Sequence, residues 1–473
     1  MNNLIKRIDQ FRYLLFIIYL YAFGIGLPLY FNDQYFDMME AKASFAYAAI
    51  IVLIIPLFLL FIYQFYLDKD KKKSPFLIII VIFGVAACLS TIFSKNPINS
   101  LNGEKGWHIG LLAIVSCIFA IVAFKDIKIK NHWILLPLLA AIFIINGIAI
   151  LHSFEIDIFG LHDNIYALSY HKFLTTIGNI NWYTGYLCLC VPLTCCLYLN
   201  CERHQWAYLA LAATNIMAVA LLGSDGIYLG LGFVSFFIVP AILRSRNTLK
   251  RFATLLLFFA LGLFIARKLM YCMDGYSGEL RRMIVILPLL VLCLFLLSFS
   301  LFIKEDTYNK LSKYLIILFE FLLIMIVIAF FLVNLRRGSF EWTTGRLPLW
   351  HDSLKLFVNY QPLQKMFGIG LENLYLKYGP ISERYGAIYL SSHSEWIHLL
   401  MTGGYSCFYA YALCWLSLIV MFFKRRLYKN IKLMPFGMSL LCYLGQTFIN
   451  SATICNVMSM SIILVLFVQN LDY

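Results

Sequence analysis

The sequence predicts an all-α polytopic membrane protein of about fourteen transmembrane helices (12–14). One large extracytoplasmic loop, with short amphipathic helices, is expected between spans eleven and twelve. Three observations predict this. Residues of the AVILMFWYC set make up 62% of the 473, charged residues only 13%, and mean hydropathy is +0.81; soluble domains run at roughly 45–50% apolar and about 25% charged. Apolar runs recur at the ~20-residue length a bilayer crossing needs. Basic residues fall in alternate connections. A water-soluble globule, a disordered chain, a coiled coil and a disulfide-rich secreted module are excluded.

The spans are read between clusters of charge or of Gly, Pro and Asn. The first, 13–31, follows Lys6, Arg7 and Arg12 and reads as a start-transfer helix without a small-residue cleavage site. Span 44–67 stops at the Lys69–Lys73 run, and 75–93 stops before Asn96-Pro97. Then come 108–124, 133–153, 179–199 and 206–223, the last closed by Gly223. Next are 226–243, 252–270, 283–303 and 314–335, bounded by charged connections. After the long segment come 403–423, 434–450 and 453–471, the last two short enough to suggest a re-entrant pair. The divisions are 1–335 (spans 1–11), 336–402 (outer loop) and 403–473 (spans 12–14).

With the N-terminus inside, the inner connections are 1–12, 68–74, 125–132, 200–205, 244–251, 304–313 and 424–433. They hold 23 of the 38 Lys and Arg, as the positive-inside rule expects. Both termini are then cytoplasmic. The +14 net charge therefore reflects topology more than a nucleic-acid partner, and none is expected. The remaining basic residues gather mainly in 266–282 and 336–400. Most of the thirteen cysteines lie in apolar runs and read as small buried hydrophobes. No Cys/His set has zinc spacing, so no metal is expected.

The inner connections are short and basic and carry no P-loop, Rossmann glycine pattern or acidic pair. Any chemistry is therefore placed on the outer face, where an activated donor has to be carried by lipid. Within 336–402 a helix is predicted after Gly345, with Pro348 in its first turn. Leu347, Trp350, Leu354 and Phe357 form its apolar face, with Asp352 elsewhere; such a helix rests at a bilayer interface. Arg346, at its N-terminal end, suits a phosphate, and a snorkelling Arg is the plain alternative. Phe367-Gly368-Ile369-Gly370 suggests a tight turn.

Ser391-Ser392 reads as an N-cap that places His393 in the first turn of a helix entering the membrane. His393 can accept a proton from a hydroxyl. Glu395 and His398, three apart, meet on one helix face. His393 lies about 140° from His398 on a helical wheel of 3.6 residues per turn, which separates the two histidines. Asn179 and Asn181 open span six, where they can cap the helix or bind sugar hydroxyls. Asp225 lies in a Gly223–Gly226 hairpin as an acid partner for Arg or as a turn residue.

Taken in order, these segments resemble the O-antigen ligase and O-antigen polymerase family. Leu89-Ser90-Thr91-Ile92-Phe93-Ser94 with Gly103 and Gly110 resembles its third-span segment. Gly178-Asn179-Ile180-Asn181 resembles its helix start. Gly345-Arg346 with Trp350, Pro362, Gly368 and Gly370 resembles its loop. His393-Ser394-Glu395-Trp396 with Gly403 resembles its final element. The resemblance covers roughly residues 75–470. It implies an inverting, GT-C-like glycosyltransferase that uses neither metal nor nucleotide and has no cofactor. The implied donor is a polyprenyl-diphosphate-linked glycan in the outer leaflet, and the acceptor is a glycan or glycolipid hydroxyl. It implies Arg346 as a diphosphate contact and His393 as base or acceptor-orienting group. Where many members carry an arginine in a Ser-Arg-Gly hairpin, this chain has Asp225; Arg281 and Arg282, in a basic outer loop, are the stand-ins.

The expected function is surface-polysaccharide polymerisation at the bacterial cytoplasmic membrane, with ligation to a different acceptor as the alternative. A flippase also suits fourteen spans, but transporters usually show intramembrane charges and matching halves; here the mid-span charges are few and no halves are evident.

Overall fold

The computed structural model describes residues 2–67, 75–127, 135–165, 170, 172–222, 224–271, 279–335, 346–386 and 388–471. Helices dominate it: α1 Asn2–Tyr21, α2 Met38–Leu67, α3 Pro75–Ile92, α4 Pro97–Asn102, α5 Leu111–Phe124, α6 Leu136–Ser153, α7 Ile180–Asn200, α8 Gln205–Leu222 and α9 Asp225–Ile242. They continue as α10 Arg246–Tyr271, α11 Glu279–Phe302, α12 Glu305–Leu335, α13 Arg346–Val358, α14 Pro362–Phe367, α15 Tyr375–Tyr385, α16 Glu395–Lys424, α17 Met434–Thr447 and α18 Ile454–Gln469. One antiparallel hairpin, β1 Phe173–Leu174 with β2 Gly178–Asn179, precedes α7. Every apolar segment named above falls on a helix. Nine helices among the described residues are long and apolar enough to cross a membrane.

Three arginines among the described residues gather at helix C-termini, which mark the basic end of the bundle, and their bonds show why arginine is favoured there. Arg12 donates from Nε and Nη2 to the Ala123 carbonyl, 3.1 and 2.9 Å, at the last turn of α5. Arg251 Nη1 reaches the carbonyls of Tyr198, Leu199 and Cys201 at the end of α7. Arg246 reaches those of Ser300 and Leu301 at the end of α11. A helix C-terminus presents carbonyls without intrahelical partners and the negative end of its dipole. The same residues that fit the positive-inside rule thus also cap helices.

The centre is α17, all fourteen of whose residues are buried. A helix apolar on all sides belongs in an interior. Its packing against α9 is close because Gly230 and Gly445 meet; a Cβ on Gly445 would lie 2.9 Å from the Gly230 Cα. The sequence suggested that α17 and α18 form a re-entrant pair, but α18 runs end to end. Its first amide, on Ile454, donates to the Trp107 carbonyl at one end, and Gln469 Nε2 donates to Phe124 O at the basic end.

The end opposite the basic one carries the candidate site residues, and α16 organises it. Gly404 breaks this helix with φ 64° and ψ −168°. The break leaves the Thr402 carbonyl to accept from Gly370 N at 3.0 Å and from Ser90 Oγ at 3.1 Å. Three separate segments, at α3, 366–370 and α16, are locked together there.

Candidate functional site

Arg346 is the first residue of α13 and half-buried. Burial lowers its pKa, and the charge of Asp225 acts in the opposite sense, which places the two within electrostatic reach. Asp225 is the first residue of α9 and exposed, not a hairpin residue as the sequence suggested; Ser224 occupies the N-cap position. Ser224 Oγ and Thr184 Oγ1, 2.8 Å apart, fasten this helix start to that of α7. There Asn179 caps α7 by accepting from Asn181 N at 2.8 Å, so its side chain is committed to the helix. The Asn181 side chain is half-buried.

His393 stands outside the helix the sequence assigned to it. α16 begins at Glu395 with Ser394 as N-cap residue, and His393 is left-handed at φ 52°. A non-glycine residue costs about 1–2 kcal/mol there, and such strain persists where the surroundings over-determine it. Those surroundings are specific. His393 N donates to Ser391 Oγ at 3.2 Å, and Ser392 Oγ donates to Ser394 O at 2.9 Å. Trp350 Nε1 donates to Ser392 O at 2.9 Å, clipping α13 to the histidine loop. Trp350 is thereby a positioning residue.

Burial pushes the His393 imidazole down to about 4, reinforced by the positive charge of Arg346 and by His398. At neutral pH it is uncharged and carries a lone pair. Among the described residues neither its ring nor the Arg346 guanidinium has a hydrogen-bond partner. Two polar groups of complementary chemistry therefore share a partly desolvated space, both available to a ligand. The 140° separation of His393 from His398 does not apply, because His393 is not on the helix.

His398 and Glu395 correct a second expectation. They do not pair with each other. His398 Nε2 lies 2.8 Å from Glu372 Oε1, both side chains being nearly buried at 12% and 8% exposure. Glu372 is itself left-handed at φ 59°. Glu395 turns into the bundle and accepts from Tyr411 Oη at 2.7 Å and Tyr443 Oη at 2.8 Å. It anchors α16 and does not face the Arg346–His393 space. Truncation of the Glu372 partner, Glu372→Ala, is expected to lower thermal stability by about 1–3 kcal/mol, as for other orphaned buried groups. Glu372→Gln keeps an acceptor and is expected to cost less; differential scanning fluorimetry of the purified protein checks both.

Sequence reading missed the polar knot beneath this loop. Asn373 Nδ2 donates to Ser94 Oγ (2.7 Å) and Ser100 Oγ (2.8 Å), and Asn99 Nδ2 donates to Asn373 Oδ1 (2.9 Å). It also missed Asp352, which is buried and accepts from Arg384 Nη1 at 2.7 Å and Tyr385 Oη at 2.9 Å. Burial favours the neutral form of Asp352, but these hydrogen bonds outweigh it and hold the carboxyl below its usual range.

The buried face of α13 is Leu349, Asp352, Ser353 and Phe357; Leu347 and Leu354 are exposed and Trp350 is half-buried. The predicted apolar face was therefore only partly the packed one. Exposed Leu347, Leu354 and Val358 leave a second apolar stripe on the outside of the helix.

Arg281 and Arg282 lie on α11, but their side chains fall outside the described residues, as do Gly345 and Gly223. Of the remaining site residues, the structure associates Arg346, His393 and Asp225. Ser90 and Ser94 meet Thr402 and Asn373, and Gly368 and Gly370 pack against α16. Comparison with protein-family models and with curated sequences finds no match to this chain.

Proposed function

We propose that the chain is a membrane-embedded, inverting transferase whose donor is a lipid-linked diphosphate. More particularly, it is read as a glycosyltransferase that polymerises a surface polysaccharide of O-antigen type at the outer face of the bacterial cytoplasmic membrane. Fourteen spans with both termini cytoplasmic put the Arg346–His393 end outside, with 336–402 as the loop that carries the site. The observation that supports this most is a guanidinium without a hydrogen-bond partner among the described residues, within electrostatic reach of a neutral, strained histidine at the end away from the basic anchors.

In this reading Arg346 grips the diphosphate through bidentate, charge-assisted hydrogen bonds. As the bond from the anomeric carbon to the diphosphate oxygen breaks, the electron pair leaves on the diphosphate, where Arg346 stabilises the growing charge. The sugar passes through an oxocarbenium-like state. The acceptor hydroxyl attacks from the opposite face and gives its proton to the His393 ring. The acceptor is a second lipid-linked repeat. Asp225 orients Arg346, and Asn181 lies near the mouth for sugar hydroxyls.

A reconstituted transfer assay with a synthetic polyprenyl-diphosphate glycan tests the reading. His393→Ala is expected to lower kcat about 10²–10⁴-fold, the usual contribution of a general base. The acid limb of kcat/KM, which reports the free enzyme, is expected near pH 4. The limb of kcat is expected higher, because a bound diphosphate cancels the Arg346 charge that helps hold His393 down. Transfer at the wild-type rate in His393→Ala refutes the base assignment. Passage of the lipid-linked glycan across sealed vesicles without covalent product refutes the transferase reading in favour of a flippase.

A further inference from the structure

α6 ends at Ser153, and the chain folds back through 154–165 toward the β1–β2 hairpin. This return brings together His152, Asp157 and His162, whose ligand atoms all lie within 4.8 Å of one another. His152 Nε2 is 3.5 Å from Asp157 Oδ1, and His162 Nδ1 is 3.4 Å from Asp157 Oδ2. These separations are long for hydrogen bonds. The three side chains are 1%, 15% and 8% exposed, so the triangle is largely shielded from bulk solvent.

The hydrogen bonds around the triangle turn an acceptor inward on His162 and provide His152 with a partner for either tautomer. His162 Nε2 lies 2.9 Å from the Phe173 carbonyl, so it carries the proton and turns the Nδ1 lone pair toward the carboxylate. A lone pair facing a carboxylate is repulsive unless a cation lies between. A ring N–H held by a backbone carbonyl is also the usual orientation of a metal-bound histidine. His152 Nε2 is buried and has no hydrogen-bond partner among the described residues. Its other nitrogen, Nδ1, is 3.3 Å from Tyr35 Oη and 3.3 Å from Thr175 N. Tyr35 gives its own proton to Thr175 O at 2.8 Å, which leaves its oxygen free to accept from Nδ1–H. As the structure stands, Thr175 N donates to Nδ1, which puts the His152 proton on Nε2, facing Asp157. A bound ion would displace that proton and move the ring to the other tautomer, with Nδ1–H donated to Tyr35 Oη and the Nε2 lone pair turned inward. Asp157 accepts from His162 N at 2.6 Å and Phe159 N at 3.2 Å and keeps lone pairs on both oxygens.

We propose that His152, Asp157 and His162 bind one divalent transition-metal ion of the zinc type. A two-imidazole, one-carboxylate set suits such an ion better than Mg²⁺ or Ca²⁺, which favour oxygen ligands. A modest contraction of the triangle gives bonds of about 2.0–2.2 Å and leaves the fourth position to water. His162 is held by Phe173 directly and His152 through Tyr35, which donates to Thr175 O; Phe173 and Thr175 belong to the hairpin that leads to Asn179. The ion therefore clamps this hairpin against the end of α6. The site escaped the sequence because its spacing, five and five, matches no zinc motif and becomes a cluster only through the turn. It does not depend on the transferase reading.

Untagged full-length protein, purified without chelator, tests this by elemental analysis and by zinc titration after stripping. About one zinc per chain is expected, with an X-ray absorption spectrum showing nitrogen and oxygen neighbours at about 2.0–2.1 Å. Asp157→Asn and His162→Ala are expected to weaken binding at least about 100-fold, and Tyr35→Phe about 10-fold, as loss of an outer partner does. Zinc far below one per chain in the wild type, or equal affinity in the two ligand variants, overturns the proposal and leaves a purely structural histidine–aspartate cluster. If a ligand variant fails to insert, wild-type stoichiometry and the absorption spectrum decide alone.

Discussion

Arg346→Ala is expected to reduce glycan transfer at least about 10³-fold while the protein inserts normally. Removing one preorganised donor to a developing oxyanion costs about 10²–10³-fold, and arginines on transferring phosphates contribute about 10³–10⁵-fold. Nothing among the described residues leans on this guanidinium for folding, so the loss falls on chemistry and donor binding. Arg346→Lys keeps the charge but not the planar fork and is expected to lie between. Initial rates in proteoliposomes measure both, with thermal unfolding as the control. Wild-type rates in Arg346→Ala would remove the diphosphate contact from the mechanism.

Gly368→Ala is expected to disrupt the site end by more than about 3 kcal/mol, or to abolish accumulation of folded protein. Gly368 has φ 78° and ψ −166°, a conformation essentially reserved for glycine. A Cβ there would lie 1.9 Å from the Thr402 carbonyl oxygen and 2.6 Å from Gly403 N, both backbone atoms that cannot swing aside. Gly379 provides the contrast. It lies within α15 with no other element within 4 Å of its virtual Cβ, and only the ring of the following Pro380 crowds it, so Gly379→Ala is expected to cost far less than Gly368→Ala. Chemical or thermal unfolding of the two variants side by side separates packing at the Thr402 junction from a general intolerance of the loop.

What was legible in the sequence follows from how local each determinant is. The helices could be read because hydrocarbon demands an unbroken apolar run, and each run keeps its own signature. Arg346 and His393 stood out as polar residues bordering such runs. The partner of His398 could not be read, since Glu372 lies 26 positions away and arrives only when 366–374 is stitched to α16. The packed face of α13 was misjudged because Asp352 carries a charge yet is buried by Arg384 and Tyr385. Helical spacing cannot anticipate that pairing. Cases such as His152, Asp157 and His162 need a turn whose course no periodicity encodes.

The wholly enclosed position of α17 has a consequence for how the molecule is made. Its walls, α7 and α9, are synthesised more than 190 residues earlier in the chain. At about 5–20 residues per second they wait roughly 10–40 s for the element that fills the space between them. During that interval the faces carrying Cys188 and Gly230 border lipid or an insertion factor instead of their final neighbour. Assembly is therefore completed from the periphery inward, and stalled or shortened chains would offer the membrane quality-control machinery an open groove where the finished protein has its centre.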